Sequence, residues 1–274
     1  MALNKVYDYY IPQDYEKFVG VCPNAKYEIL GQNTVCAHKN GAKTVLKQEN
    51  PLMAEKNAAV SRIYRFRKIA VPHITACEHS GAEPVDSTIY YEKYDMIPGV
   101  SLTDAIKQGI GADDIIRVYD QALLEFIKMR RVQPWMLVDE NPYDLNGYNV
   151  FQGSIADGIK PFGFIGRKAL EMACNINEPD REDVALFHCD ITPDNMIVSS
   201  DGHFQGLVNL GKACICDRTF AFSAMAASYK DLGFDVGSLR CKYEMFGGQK
   251  LNPFSVSTMI GLHSKLAQHT EKVR

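Results

Sequence analysis

Runs of β-forming residues crowd the first third of the chain, and helical spacing takes over after it. Residues 27–30, 34–38 and 43–48 read as strands, with Asn40-Gly41 between the last two as a hairpin turn. Residues 51–67 read as a helix. Pro51 suits its first turn, and Met53, Ala54, Val60, Ile63 and Tyr64 recur at helical intervals. Residues 88–96 (TIYYEKYDM) form a further strand rich in β-formers. Ser101 then caps a helix beginning at Leu102, and residues 113–131 form a long helix with Ile115, Val118, Leu123, Leu124, Ile127 and Met129 on its apolar side. More helices are expected over 165–175, 220–228, 233–246 and 255–270. Residues 1–20 read as a short helical lead-in anchored by Tyr7, Tyr10, Tyr15 and Phe18. One hairpin interrupts the helical part. Residues 196–198 and 204–208 flank the turn Ser199-Ser200-Asp201-Gly202.

Composition narrows the class. A chain of 274 residues, 46% hydrophobic and 23% charged, can bury the core of one large domain or two lobes. A formal net charge of -3 and the lack of any Lys/Arg block argue against a nucleic-acid binder. No apolar run approaches the ~20 residues of a membrane span, and the N-terminus has no apolar signal core. A cytoplasmic protein with no membrane partner is therefore expected. The eight cysteines are scattered and read as reduced thiols. Cys214 and Cys216 are separated by one residue, which is not the usual zinc or redox spacing, and no companion pair follows.

The stretch that concentrates chemistry runs from Leu186 to Gly211, LFHCDITPDNMIVSSDGHFQGLVNLG. An apolar lead-in meets His188-Cys189-Asp190. Asn195 follows Asp190 by five residues, and the hairpin then ends at Asn209. This spacing suits phosphoryl transfer. A carboxylate orients the attacking hydroxyl or takes its proton, an amide oxygen five residues on holds Mg2+, and a carboxylate beyond the next hairpin holds the metal bridging the phosphates. The plainer alternative is a surface turn in which Asp190 and Asn195 cap backbone groups.

The same stretch resembles the catalytic segment of the aminoglycoside phosphotransferase and choline kinase family of small-molecule kinases. Pro193 lies two residues before Asn195, as is usual there, and Cys216-Asp217 stands where the family often has Gly-Asp. The resemblance implies an α+β, two-lobed protein-kinase-like fold. Residues 1–97 would form a nucleotide-binding lobe, an antiparallel sheet with one main helix. Residues 98–274 would form a mostly helical lobe with the catalytic loop and acceptor site. Thr44-Val45-Leu46-Lys47 resembles the strand bearing the phosphate-binding lysine, so Lys47 would meet the phosphates and Glu55 would pair with it, Glu49 being the alternative. Gly31, Gln32 and Asn33 would lie over the phosphates, although an ordinary turn explains them equally well. The strand ending in Tyr94, Asp95, Met96 and Ile97, followed by Pro98-Gly99-Val100-Ser101-Leu102, resembles the family's hinge. There, backbone groups bind the adenine edge.

By the same resemblance Asp190 is the catalytic base, Asn195 and Asn209 bind Mg2+, and His188 fixes the loop. The cofactor is ATP or GTP. The partner is a small-molecule hydroxyl acceptor, such as an aminoglycoside-like antibiotic or an amino alcohol. Residues 133–163 would shape the acceptor site, with Asp139, Glu140 and Asp144 attracting a cation, or else form a polar surface loop. No Ala-Pro-Glu motif follows, which disfavours a protein kinase. Two departures matter. Asn209 stands where an Asp is expected, and Phe222-Ser223-Ala224 stands where the family usually has Asp-Leu-Ala. An Asn brings an oxygen without charge, so a nucleotide-binding pseudokinase or scaffold is the alternative reading. Asp217 would compensate if it lay near the metal.

Overall fold

A computed structural model describes residues 18, 21–31, 33–82, 87–132, 184–261 and 263. The lead-in apart from Phe18, Gln32, the 133–163 segment, the 165–175 helix and the end of the 255–270 helix lie outside the described residues. The chain divides into two compact units, Met1–Arg65 with Val71–Ile97, and Phe66–Ala70 with Pro98–Arg274.

The first unit is a five-stranded antiparallel sheet with one helix. Its strands are β1 (Lys26–Gly31), β2 (Thr34–Lys39), β3 (Ala42–Gln48), β4 (Thr75–Ala82) and β5 (Ser87–Asp95), in the order β1-β2-β3-β5-β4. Asn40 and Gly41 connect β2 to β3 with φ of 51° and 81°. Two positive values are what a type I′ turn demands, and Asn-Gly supplies them at little steric cost. The sheet is covered on both faces. Leu46 joins Phe18, Tyr27, Val35, Ile89 and Tyr91 in a buried cluster on one side. Val45, with Cys36 and Tyr94 directly across from it, points to the other. Helix α1 (Pro51–Phe66) follows β3, and Asn50 caps it by accepting a bond from the Met53 amide at 2.8 Å. Its buried residues Ala54, Asn57, Ser61 and Tyr64 make one stripe at helical spacing.

In the second unit α3 (Ala112–Met129) is the spine. Val118, Tyr119, Ala122, Leu123, Phe126 and Met129 are buried along it. Short β6 (Val100–Ser101) leads into α2 (Leu102–Lys107), capped by the Ser101 hydroxyl as expected, at 3.1 Å from the Asp104 amide. β6 also borders the hairpin of β8 (Met196–Val198) and β9 (Phe204–Leu207). A Cβ on Gly99 would collide with the Val198 carbonyl oxygen, and Gly99 has φ of +135°, so only glycine fits there. The segment 66–70 is stitched to this unit. The Ala70 amide bonds buried Glu125 at 2.9 Å, and the Ala70 carbonyl accepts from Leu207 at 2.8 Å.

Sequence patterning missed one feature here. The apolar lead-in is β7 (Val184–Phe187), and it pairs antiparallel with β10 (Cys214–Asp217), Phe187 opposite Cys214. No turn joins these strands, so nothing local announces their pairing. Helices α4 (Arg218–Asp231) and α5 (Val236–Met245) and a helical stretch over residues 253–261 complete the unit. The α+β class, an antiparallel sheet with a helix followed by a helical part, is as expected. Among the described residues no helix is long and apolar enough to cross a membrane.

Candidate active site

In the second unit the site is built on the end of β7. Phe187 stacks on Phe126 of α3 with ring centroids 4.8 Å apart, which anchors the chain just before His188. His188 is fully buried, and its Nε2–H donates to the Val208 carbonyl at 2.9 Å. Burial pushes its pKa below the ordinary 6.5 and keeps the ring neutral. This is the loop-fixing role expected for it.

Cys189 then turns the backbone through a left-handed conformation, φ +54°. The Asp190 carboxylate is held at both oxygens. Oδ2 accepts from Asn195 Nδ2 at 2.9 Å, and Oδ1 meets Lys212 Nζ at 3.1 Å. Asn195 Nδ2 also donates to the Asp190 carbonyl at 2.9 Å and lies 3.3 Å from Thr192 Oγ1. With its nitrogen so engaged, the Asn195 amide keeps Oδ1 as a neutral oxygen donor for a hard cation. Pro193 opens the single 3-10 turn, Pro193–Asn195, that sets this orientation.

Asn209 is exposed at φ 62° and ψ 65°, a conformation that Asn tolerates better than most residues. Val208 beside it is tied to the 188–195 loop twice, by His188 and by a 3.0 Å bond from its amide to the Asn195 carbonyl. The 3-10 turn Leu210–Lys212 then brings Lys212 to Asp190. Lys212 was not foreseen. It lies 22 residues beyond Asp190, and nothing in the local pattern marks it. The donors available to Mg2+ are thus one carboxylate, already paired to an ammonium, and two amide oxygens. They fit the cation in chemical kind, but with less charge than two carboxylates would bring.

In the first unit Lys47 lies on β3 on the same face as Val45, directly across from Glu92 on β5. Its carboxylate partner is Glu49, at 3.3 Å. Glu55, the expected partner, is exposed on α1. The buried stripe runs through positions 54, 57, 61 and 64, and a helix turns about 100° per residue, so position 55 is carried off that stripe. Position 57 is on it, and Asn57 Nδ2 donates to buried Glu92 at 2.6 Å. Burial pushes the Glu92 carboxyl up, while Lys47 and the Asn57 bond pull it down. A helix-to-sheet polar tie exists here, but Asn57 and Glu92 make it.

The proposed phosphate loop is the tight turn between β1 and β2, with Gly31 paired to Thr34. Asn33 has φ 55°, and its carbonyl accepts from the Gln48 amide at 2.9 Å. A Cβ on Gly31 would meet nothing within 4 Å. At the hinge, the Met96 amide is taken by the Lys43 carbonyl at 2.9 Å, so Met96 is not an open donor for an adenine edge. Asp95 and Tyr94 pair in register with Thr44 and Val45. Ile97 offers the last N–H before Pro98.

The chain's resemblance to known proteins lies in its fold. No family model matches the sequence, and no curated protein sequence matches it. Solved structures do. Aminoglycoside phosphotransferase APH(3'')-Id from Streptomyces rimosus, in complex with ADP and streptomycin, aligns over 91% of this chain and 95% of that one, with a TM-score of 0.65 at 13% identity. APH(2")-IIia in its GDP and kanamycin complex aligns over 93% and 88%, with a TM-score of 0.61 at 14% identity. Macrolide 2'-phosphotransferase type I aligns over 93% and 88%, with a TM-score of 0.59 at 15% identity. The fold is that of the aminoglycoside and macrolide phosphotransferases. Two further positions singled out in the sequence have structural explanations. Phe222 is fully buried in an aromatic cluster, 6.2 Å from Phe126 and 5.3 Å from Tyr243, so a core residue fills that position. Asp217 caps α4, its Oδ1 accepting from the Thr219 amide at 2.7 Å, and sits opposite Val184 at the far end of the β7–β10 ribbon from Asp190. It is therefore a helix cap and not a substitute metal ligand.

Proposed function

We propose that the chain is a phosphotransferase that moves the γ-phosphoryl group of ATP or GTP to a hydroxyl of a small molecule. The observation that carries this reading is the fixed pair Asp190 and Asn195, carboxylate and amide 2.9 Å apart on a loop locked through His188 and Val208. Asp190 accepts the hydroxyl proton or orients the hydroxyl for attack. Asn195 and Asn209 offer oxygens to Mg2+, which when bound would neutralise phosphate charge. Lys47, held by Glu49 and facing Glu92, presents a point charge to the phosphates. The ADP and GDP complexes of the structural neighbours support a nucleotide as the donor. Antibiotics with amino or hydroxyl groups are the acceptors to screen first.

A second reading rests on Asn209 and Lys212. With no carboxylate at 209 and an ammonium on Asp190, the chain would bind nucleotide without efficient transfer. Thermal unfolding with ATP or GTP, with and without Mg2+, separates the two. Ligand at a hundred times its Kd adds about 2.7 kcal/mol, a rise of several degrees. A Mg2+-dependent rise in the parent protein, followed by transfer to an acceptor, supports the enzyme. A rise and transfer only in Asn209→Asp supports the pseudokinase. No rise in either protein rejects the nucleotide site.

A further inference from the structure

We propose that Cys189, Cys214 and Cys216 form a site for one thiophilic divalent cation, with zinc as its biological occupant. Cys214 and Cys216 lie two apart on β10 and so share a face of the ribbon. The pairing of Cys214 with Phe187 brings Cys189, two residues further on, to the same place. Cys189 Sγ lies 3.3 Å from Cys216 Sγ and 3.5 Å from Cys214 Sγ, and all three sulfurs fall within 4.8 Å of one another.

Three thiolates on a tetrahedral zinc with bonds of ~2.3 Å have sulfur–sulfur edges of about 3.8 Å. The two Cys189 edges, 3.3 and 3.5 Å, lie within about half an ångström of that length, and the third is no longer than 4.8 Å. A disulfide needs about 2.05 Å between two sulfurs and leaves the third unused, whereas a cation takes all three. Cys189 occupies φ +54°, where glycine is at ease and a residue with a side chain is strained. Cys216 is buried and its two partners are half-buried, so the cluster is shielded yet reachable from solvent.

Binding forms three metal–sulfur bonds, and the three displaced thiol protons pass to solvent. One coordination position stays open to water. The ion would pin the loop carrying Asp190 to the strand that follows Lys212, and so hold the Lys212–Asp190 contact in register. The site is independent of the phosphotransfer reading.

The test uses the full chain, reduced and stripped with chelator, then titrated with Cd2+ and with Zn2+ alone. Cadmium is followed by its thiolate charge-transfer absorbance, and zinc by competition with a chromogenic chelator. One ion per chain, protection of three thiols from alkylation and a raised thermal midpoint are expected. Cys189→Gly suits the left-handed backbone, so it should fold at least as well as the parent while binding about a hundredfold more weakly. Exposed Cys241→Ser should bind like the parent. Equal affinity in Cys189→Gly and the parent, or no saturation at one ion per chain, overturns the proposal. So does a Cys189–Cys214 or Cys189–Cys216 disulfide in protein purified without reductant. None of these readouts depends on phosphotransfer.

Discussion

Two carboxylates in this molecule face a lysine, and they are built in opposite ways. Glu92 is 2% exposed, lies across a sheet from Lys47 and is tethered by a helix residue. Asp190 sits on a loop, and the side chain of its lysine partner, Lys212, is 69% exposed. The first arrangement is embedded in strand register and helix packing, so removing a part leaves a buried charge without support. The second joins a carboxylate only 14% exposed to an ammonium that reaches in from solvent, so the lysine end can be exchanged for a cation or a hydroxyl. A carboxylate that must release one partner to take another belongs in the second kind of place. The difference fits a structural part for Glu92 and the chemical part proposed for Asp190.

The largest test of that division is Asp190→Asn. Loss of a general base costs 10²–10⁴-fold, so transfer should fall about a thousandfold in steady-state kinetics, while urea unfolding changes by less than about 1 kcal/mol. If transfer persists, the assignment to Asp190 is wrong. Gly99→Ala strikes the support of the same region. The methyl group would meet the Val198 carbonyl in a strained backbone, and denaturant titration should show a loss of about 3 kcal/mol. Asn57→Ala attacks the first region. It strips the donor from a buried carboxylate and should cost about 2 kcal/mol, without altering the metal dependence of nucleotide binding.

The pH dependence of stability is a fourth test. His188 is buried and His263 half-buried, and desolvation lowers both pKa values, that of His263 from 6.5 to about 4. Below pH 6.5 the unfolded chain binds protons that the folded chain refuses. Stability should therefore be full above about pH 6.5 and decline as pH falls toward 4, on the order of 2 kcal/mol from His263. His263→Phe should flatten that slope in midpoints measured across the range, and an unchanged slope would reject the argument. The smallest effect is expected for Lys212→Ala. The lysine end of the pair is exposed and screened, so the loss should be about 1 kcal/mol. A fall in KM for Mg2+ would confirm that the ammonium competes with the cation at Asp190, and an unchanged KM would remove that competition from the mechanism.

Local chemistry made much of the fold legible. Asn40-Gly41 and Asp201-Gly202 declare hairpins, Ser101 declares a helix start, and the apolar side of α3 declares a buried spine, because in each case the determining contacts lie within a few residues. The spacing of Asp190, Asn195 and Asn209 could be read for the same reason: one loop and one hairpin hold all three. Glu55 misled because a plausible glutamate on a helix says nothing of which way the helix is rolled, and the roll was settled by Ala54, Asn57, Ser61 and Tyr64 packing inward. That the Met96 amide bonds the Lys43 carbonyl on a neighbouring strand was not legible either. Lys212 on Asp190 and the meeting of Cys189 with Cys214 and Cys216 both depend on β7 pairing with β10 across an intervening hairpin. No turn, cap or period encodes that pairing. The sequence by itself determined the local elements and the residue types of the loop. The tertiary structure alone decided their partners, because long-range strand register is chosen by burial of the whole core and not by any neighbouring residue.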